Sequence, residues 1–170
     1  TNTLPSLCGL ILFAPALKLR HYILVLANAD NWLKRVSPKN SIKSFTYSNQ
    51  PDYAKYTTLT LDSINEIIKL TQKLHTDANL QSLTVPLFVV ATTADEVLQP
   101  HAIVRFFNQT SHSRSQLLMY GNGNGRYPDQ RILPLCSACS EKRILNFSHT
   151  CLPVAPYHPH YGIKGDIQRH

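Results

Sequence analysis

Nowhere in its 170 residues does the chain carry an apolar run approaching the roughly 20 residues that a membrane-spanning helix needs. It has no signal-peptide layout, with no charged start leading into an apolar stretch and a small-residue cleavage site. It lacks zinc-finger spacing closed by paired histidines, an aromatic ribonucleoprotein motif and a long basic helix, so no nucleic-acid partner is expected. No internal repeat is visible. Acidic residues are scarce: 10 Asp and Glu stand against 17 Lys and Arg, a net charge of +7 with eight histidines uncounted. Much of the surplus lies early, where Lys18, Arg20, Lys34, Arg35, Lys39 and Lys43 face Asp30 alone between residues 14 and 45. A run of this kind attracts anionic headgroups or acidic substrates, although a solvated face is its commoner meaning.

What is present is enough for a folded domain. Hydrophobic residues make up 43%, which excludes a disordered chain, and the length allows one real core. The opening Thr-Asn-Thr lacks an initiating Met and runs almost directly into a strand over Leu7 to Phe13, centred on Cys8 to Phe13, which suggests a fragment or a processed product. Tyr22 to Leu33 is expected to be helical, with Ile23, Leu26 and Ala27 on one side and Trp32 near the end. Ser37 to Tyr56 is expected to be loop, with Pro38 and Pro51 as breakers. The clearest helix covers 62–75: Ile64, Ile67, Ile68 and Thr71 share a face that Leu74 extends, Asp62 or Ser63 caps it, and Glu66 supplies first-turn negative charge.

The most informative stretch is 85–95, Val-Pro-Leu-Phe-Val-Val-Ala-Thr-Thr-Ala-Asp. Leu87 to Val90 is continuously apolar and rich in β-branched residues, as suits a strand buried on both faces of a parallel sheet. Small residues follow, then Asp95, and Pro100 opens a helix over 100–108 with Ile103, Val104 and Phe107 inward. An acid just beyond the carboxyl end of such a strand lies where open α/β sheets place their active sites, while the plainer role is to cap a turn. Gln116 to Tyr120 is a further short buried strand. The alternation of strands and helices predicts a doubly wound parallel α/β sheet. After Tyr120 the pattern dissolves. Gly121-Asn-Gly-Asn-Gly125 lacks the Lys-Ser/Thr of a phosphate loop and reads as a turn. Arg143 to Phe147 is a candidate strand ending at Ser148-His149, and Pro153 to Gly162 is an ordered loop.

Asp95 and His149 are the candidate catalytic pair. A hydrolytic triad uses a buried acid to hold an imidazole, and the imidazole to activate a hydroxyl or thiol. Four cysteines compete for attention. Cys136-x-x-Cys139, Cys151 and one of His149, His158 or His160 have the residue types of a zinc shell, but a lone Cys-x-x-Cys is weak, so plain thiols are the leading reading, ahead of a disulfide and then a metal. Cys8 is expected in the core. No cofactor is called for.

The segment Leu80 to Val97 resembles the lead-in strand and acid loop of α/β-hydrolases of the monoacylglycerol lipase and carboxylesterase group, and Phe147-Ser148-His149 resembles their histidine loop. Cys8 to Pro15 is similar to the strand that leaves their nucleophile helix. The resemblance implies a C-terminal α/β-hydrolase portion formed by 1–16 and 80–170, with 17–79 as a cap or lid. It implies Asp95 as triad acid and His149 as triad base, with Tyr22, Trp32, Phe45 and Tyr47 lining an apolar acyl pocket. The substrate would be an acylglycerol or other lipid ester, in a cytoplasmic and membrane-surface setting. An amidase or peptidase on the same fold is the alternative, as is a non-catalytic domain using 121–160 to bind zinc or a partner.

Two departures stand out. No Gly-x-Ser-x-Gly occurs in these residues, so the nucleophile is expected upstream of Thr1; the chain alone would be inactive and would need its missing half, or another chain, to complete the sheet. The acid and histidine are also 54 residues apart, a long connection for this family. His101, His112, His158 and His160, with Glu96 and Asp129, are the fallback residues.

Overall fold

The computed structural model describes residues 7–37, 44–46, 58–76, 83–138, 147, 149, 151–155 and 157–159. The chain divides into two compact units, one formed by Thr1–Leu17 with Ala78–His170 and the other by Lys18–Asp77.

The first unit is built on four parallel strands: β1 (Leu10–Phe13), β4 (Leu87–Thr92), β5 (Gln116–Gly121) and β6 (Ile132–Cys136), side by side in the order β1-β4-β5-β6. Leu10 pairs with Leu87, Phe88 with Gln116 and Leu117 with Ile132. Helix α3 (Pro100–Asn108) follows β4, with Pro100 at its start, where no N–H partner is needed. Ala102, Ile103 and Phe107 from α3 join Leu87, Val89, Ala91, Leu117, Met119 and Ile132 in one buried cluster. Alternation puts these strand residues on one face of the sheet. On the other face of β1, Ile11 and Phe13 are exposed. Arg131 ties β6 to the α3–β5 connection. Its guanidinium holds Asp129, donates to the carbonyls of Thr110 and His112, and lies 5.0 Å over the Phe107 ring.

The parallel α/β architecture expected from the sequence is the one observed, with differences at its edges. Pairing starts at Leu10, whose N–H donates to the Pro86 carbonyl, so Cys8 precedes the ladder and is exposed instead of belonging to the core. Order does not dissolve after Tyr120, because Ile132–Cys136 forms β6. Pro134 disguises this strand in the sequence, yet it lies at the end of the strand order, where one side of the ladder needs no N–H from it. Of the candidate strand Arg143 to Phe147, residues 143–146 lie outside the described residues, as do the zinc candidates Cys139 and His160, and Phe147 is not in a strand.

The second unit contains α1 (His21–Val36), a hairpin of β2 (Ser44–Thr46) with β3 (Thr58–Thr60), and α2 (Leu61–Thr76). Strand β2 falls inside the span expected to be loop. It is three residues long and is defined by pairing with a distant segment, which leaves little local pattern. The cap of α2 is Thr60, whose Oγ1 accepts from the Ser63 N–H, not Asp62 or Ser63, and Glu66 pairs with Lys69. Ile64 and Thr71 are buried as their spacing requires. The helices are tied by polar groups. Asn31 and Asn65 exchange two amide hydrogen bonds, and Lys34 reaches both buried Asp30 and Asp62. On α1, Tyr22 and Trp32 are exposed, and the Phe45 side chain and Tyr47 lie outside the described residues. Among the described residues no helix is long and apolar enough to cross a membrane.

Candidate active site

Asp95 follows the carboxyl end of β4. The turn after Thr92 is made by short polar groups: Thr92 Oγ1 accepts from the Ala94 N–H, and the Thr93 N–H donates to the Tyr120 carbonyl at 2.8 Å. This close approach of β4's exit to β5 requires glycine at 121, where a Cβ would sit 2.4 Å from Thr93 Oγ1. The chain then folds over the Asp95 side chain, and Oδ1 accepts from the N–H groups of Val97 at 2.8 Å and Leu98 at 2.9 Å. Asp95 therefore serves the plain role of turn cap, and it also meets a second partner.

That partner is His149. Its Nδ1 lies 3.1 Å from Asp95 Oδ1, across 54 residues of sequence. The acid is nearly sealed, with 4% of its side chain exposed, while the imidazole keeps 32%. Burial pushes the Asp95 carboxyl up, but the His149 imidazole and the Leu98 and Val97 amides outweigh it and hold the carboxyl below its ordinary value. A carboxylate in this position orients the ring through Nδ1. It leaves Nε2 on the far side of the ring, where a proton can be taken from a hydroxyl or thiol and returned.

The fallback residues are placed differently. His101 is exposed on α3, and His112 Nδ1 accepts from the Arg114 N–H in a surface turn. Glu96 is exposed. Asp129 is taken by Arg131, which holds its carboxyl below the usual range. His158 donates its backbone N–H to the Ala155 carbonyl. Of the zinc candidates, Cys136 is exposed, and among the described residues no three His, Cys, Asp or Glu side chains gather as a metal site.

Beside the acid loop lies a cavity of about 300 Å³, lined by Thr93, Met119, Asn122, Asn124, Tyr127 and Pro134. The glycine-rich segment thus shapes a wall: Gly121 ends β5, Asn122 bridges to Cys136, and Gly123 turns with a φ of 71°. Two residues gain a place at the site that sequence reading did not give them. Tyr120 touches the His149 segment through an edge-to-face contact with Phe147, and Gly121 admits Thr93. An aromatic residue at the end of a strand was the one visible signal for Tyr120.

Residues 2–124 match the family model described as "Serine aminopeptidase, S33", a stretch that contains Asp95 and ends before His149. No curated protein matches the chain. Among solved structures, the chain is similar to a soluble variant of monoglyceride lipase from Saccharomyces cerevisiae in complex with a substrate analog. The two are 13% identical with a TM-score of 0.43, over 65% of this chain and 45% of that one. The chain therefore spans less than half the length of that structure.

Proposed function

Because the chain belongs to the serine aminopeptidase S33 family of α/β-hydrolases, we propose that Asp95 and His149 are the acid and base of a serine-hydrolase triad. The observation that carries this reading is the contact of His149 Nδ1 with a buried carboxylate already fixed by two backbone amides. In the acylation step His149 Nε2 takes the serine hydroxyl proton as the oxygen attacks the substrate carbonyl, and then gives that proton to the leaving group. A water repeats the sequence to release the acid. Asp95 stays ionised throughout and stabilises the imidazolium.

The serine itself is not among these residues in a Gly-x-Ser-x-Gly setting. In this reading it is contributed from outside them, and residues 1–170 alone are inactive. The 17–79 segment serves as the cap. Its exposed Tyr22, Val25, Leu26 and Trp32 suit an apolar acyl group, which favours a carboxylic ester of the lipid class as substrate. The setting is the cytoplasmic side of a membrane, where the Lys18 to Lys43 run is drawn to anionic headgroups. The description of the matched family favours a second reading, hydrolysis of an amide at a peptide N-terminus.

The test is fluorophosphonate labelling of the natural polypeptide that contains these residues, followed by assay on p-nitrophenyl esters and amino-acid p-nitroanilides. Labelling of a serine outside 1–170 that is lost in His149→Ala, with turnover of long-chain esters, is the expected result. Anilide turnover without ester turnover selects the peptidase. Labelling and turnover unchanged in His149→Ala overturn the triad.

A further inference from the structure

His149 reaches Asp95 from a segment 54 residues away, and something must hold that segment at the sheet. Tyr120 touches the segments that carry both members of the pair. Its backbone carbonyl accepts from the Thr93 N–H at 2.8 Å, fixing the turn that leads to Asp95. Its ring meets Phe147, two residues before His149, with centroids 5.2 Å apart and planes at 77°. That is the edge-to-face arrangement in which the positive rim of one ring meets the negative face of the other. Tyr120 is itself held in register, paired with Thr92 on β4 and Leu135 on β6. One strand position therefore touches the segment of the acid through its main chain and the segment of the base through its side chain.

We propose that Tyr120 and Phe147 form an aromatic clasp that positions His149 against Asp95, making Tyr120 a positioning residue of the site. The proposal rests on the Asp95–His149 pairing and adds the device that delivers the histidine. The clasp works through the ring and not the phenol oxygen, so Phe at position 120 keeps it and Leu does not. A pair of this kind shifts a docking equilibrium about two- to tenfold. That is enough to move His149 from mostly docked to substantially undocked without unfolding the sheet.

The experiment is long-range 1H–15N NMR of the His149 ring in the full chain. Docking on Asp95 selects the tautomer with the proton on Nδ1 and protects that proton from exchange. Wild type and Tyr120→Phe should show the Nδ1–H form with equal protection. Tyr120→Leu and Phe147→Leu should lose protection about two- to tenfold, with the Leu117 and Met119 amides of β5 still slow to exchange. Phe147 lies outside the strands, so Phe147→Leu gives the answer should Tyr120→Leu fail to fold. Full protection in both leucine variants, with the signal still abolished by Asp95→Asn, overturns the clasp and leaves the pair standing. A wild-type ring with no Asp95-dependent Nδ1–H signal overturns the pairing, and the clasp with it.

Discussion

Asp30 and Asp95 are both buried aspartates, one in each unit of the molecule, and their surroundings could hardly differ more. Asp30 sits inside α1 and takes its cation, Lys34, from one turn along the same helix at 2.9 Å. Lys34 also reaches Asp62, and the neighbouring Asn31 and Asn65 join the same two helices. A lysine charge and paired amides there tie the two helices together. Asp95 is held by two main-chain amides and faces an imidazole, a group that can gain or lose a proton near neutral pH. A buried acid with a permanently charged local partner ties structure together, whereas one that faces an imidazole from 54 residues away in sequence is placed for proton exchange.

The sharpest way to break this contrast is to disable each acid's environment separately. In the catalytically complete protein, Asp95→Asn should lower kcat about a thousand- to ten-thousandfold, because the imidazole loses the partner that fixes its tautomer. The urea midpoint should move little by comparison, and steady-state kinetics beside an unfolding curve check both. Lys34→Met should do the reverse. It strips the cation from buried Asp30 and should lower the unfolding midpoint while leaving the His149 ring spectrum unchanged. A loss of the His149 signal in Lys34→Met would erase the distinction.

Gly121→Ala probes the acid side from behind. The new methyl has no room beside Thr93, so the turn before Asp95 must shift. A loss of about 1–3 kcal/mol is expected from overpacking, measured by urea denaturation, together with weaker protection of the His149 ring proton. An unchanged midpoint would show that the turn gives way freely.

The smallest effects are in pH. The folded-state pKa of Asp95 is lowered, so its stabilising contribution is complete above the unfolded value of about 3.9 and is lost as pH falls through the lower folded value. Asp62 and Asp30 raise the pKa of Lys34, so its contribution is complete below about 10.4 and is lost as pH rises through the higher folded value. Unfolding curves of Asp95→Asn against wild type should converge in acid, and those of Lys34→Met in alkali. Convergence of both at the same end would contradict these directions.

Much of this organisation is legible along the chain. The run Leu87 to Val90 suits a strand buried on both faces, and Pro100 with Ile103 and Phe107 marks α3. Ile64 and Thr71 marked the inner face of α2. These patterns are local, because side-chain periodicity and the missing proline N–H act within a few residues. Strands β2 and β6 were hidden for the complementary reason. A three-residue strand has no period of its own, and Pro134 is tolerated only because of its place at the end of the strand order.

By itself, then, the sequence determined the parallel α/β class, the burial of β4 and the position of an acid at its carboxyl end, since each follows from short-range pattern. The sequence and the family resemblance singled out His149 among eight histidines, but only tertiary structure decided that it stands 3.1 Å from that acid. It also decided that Arg131 claims Asp129 and that Tyr120 touches the segments of both partners. These are contacts between residues far apart in the chain. No local propensity encodes them, and they exist only once the strands have fixed where each loop emerges.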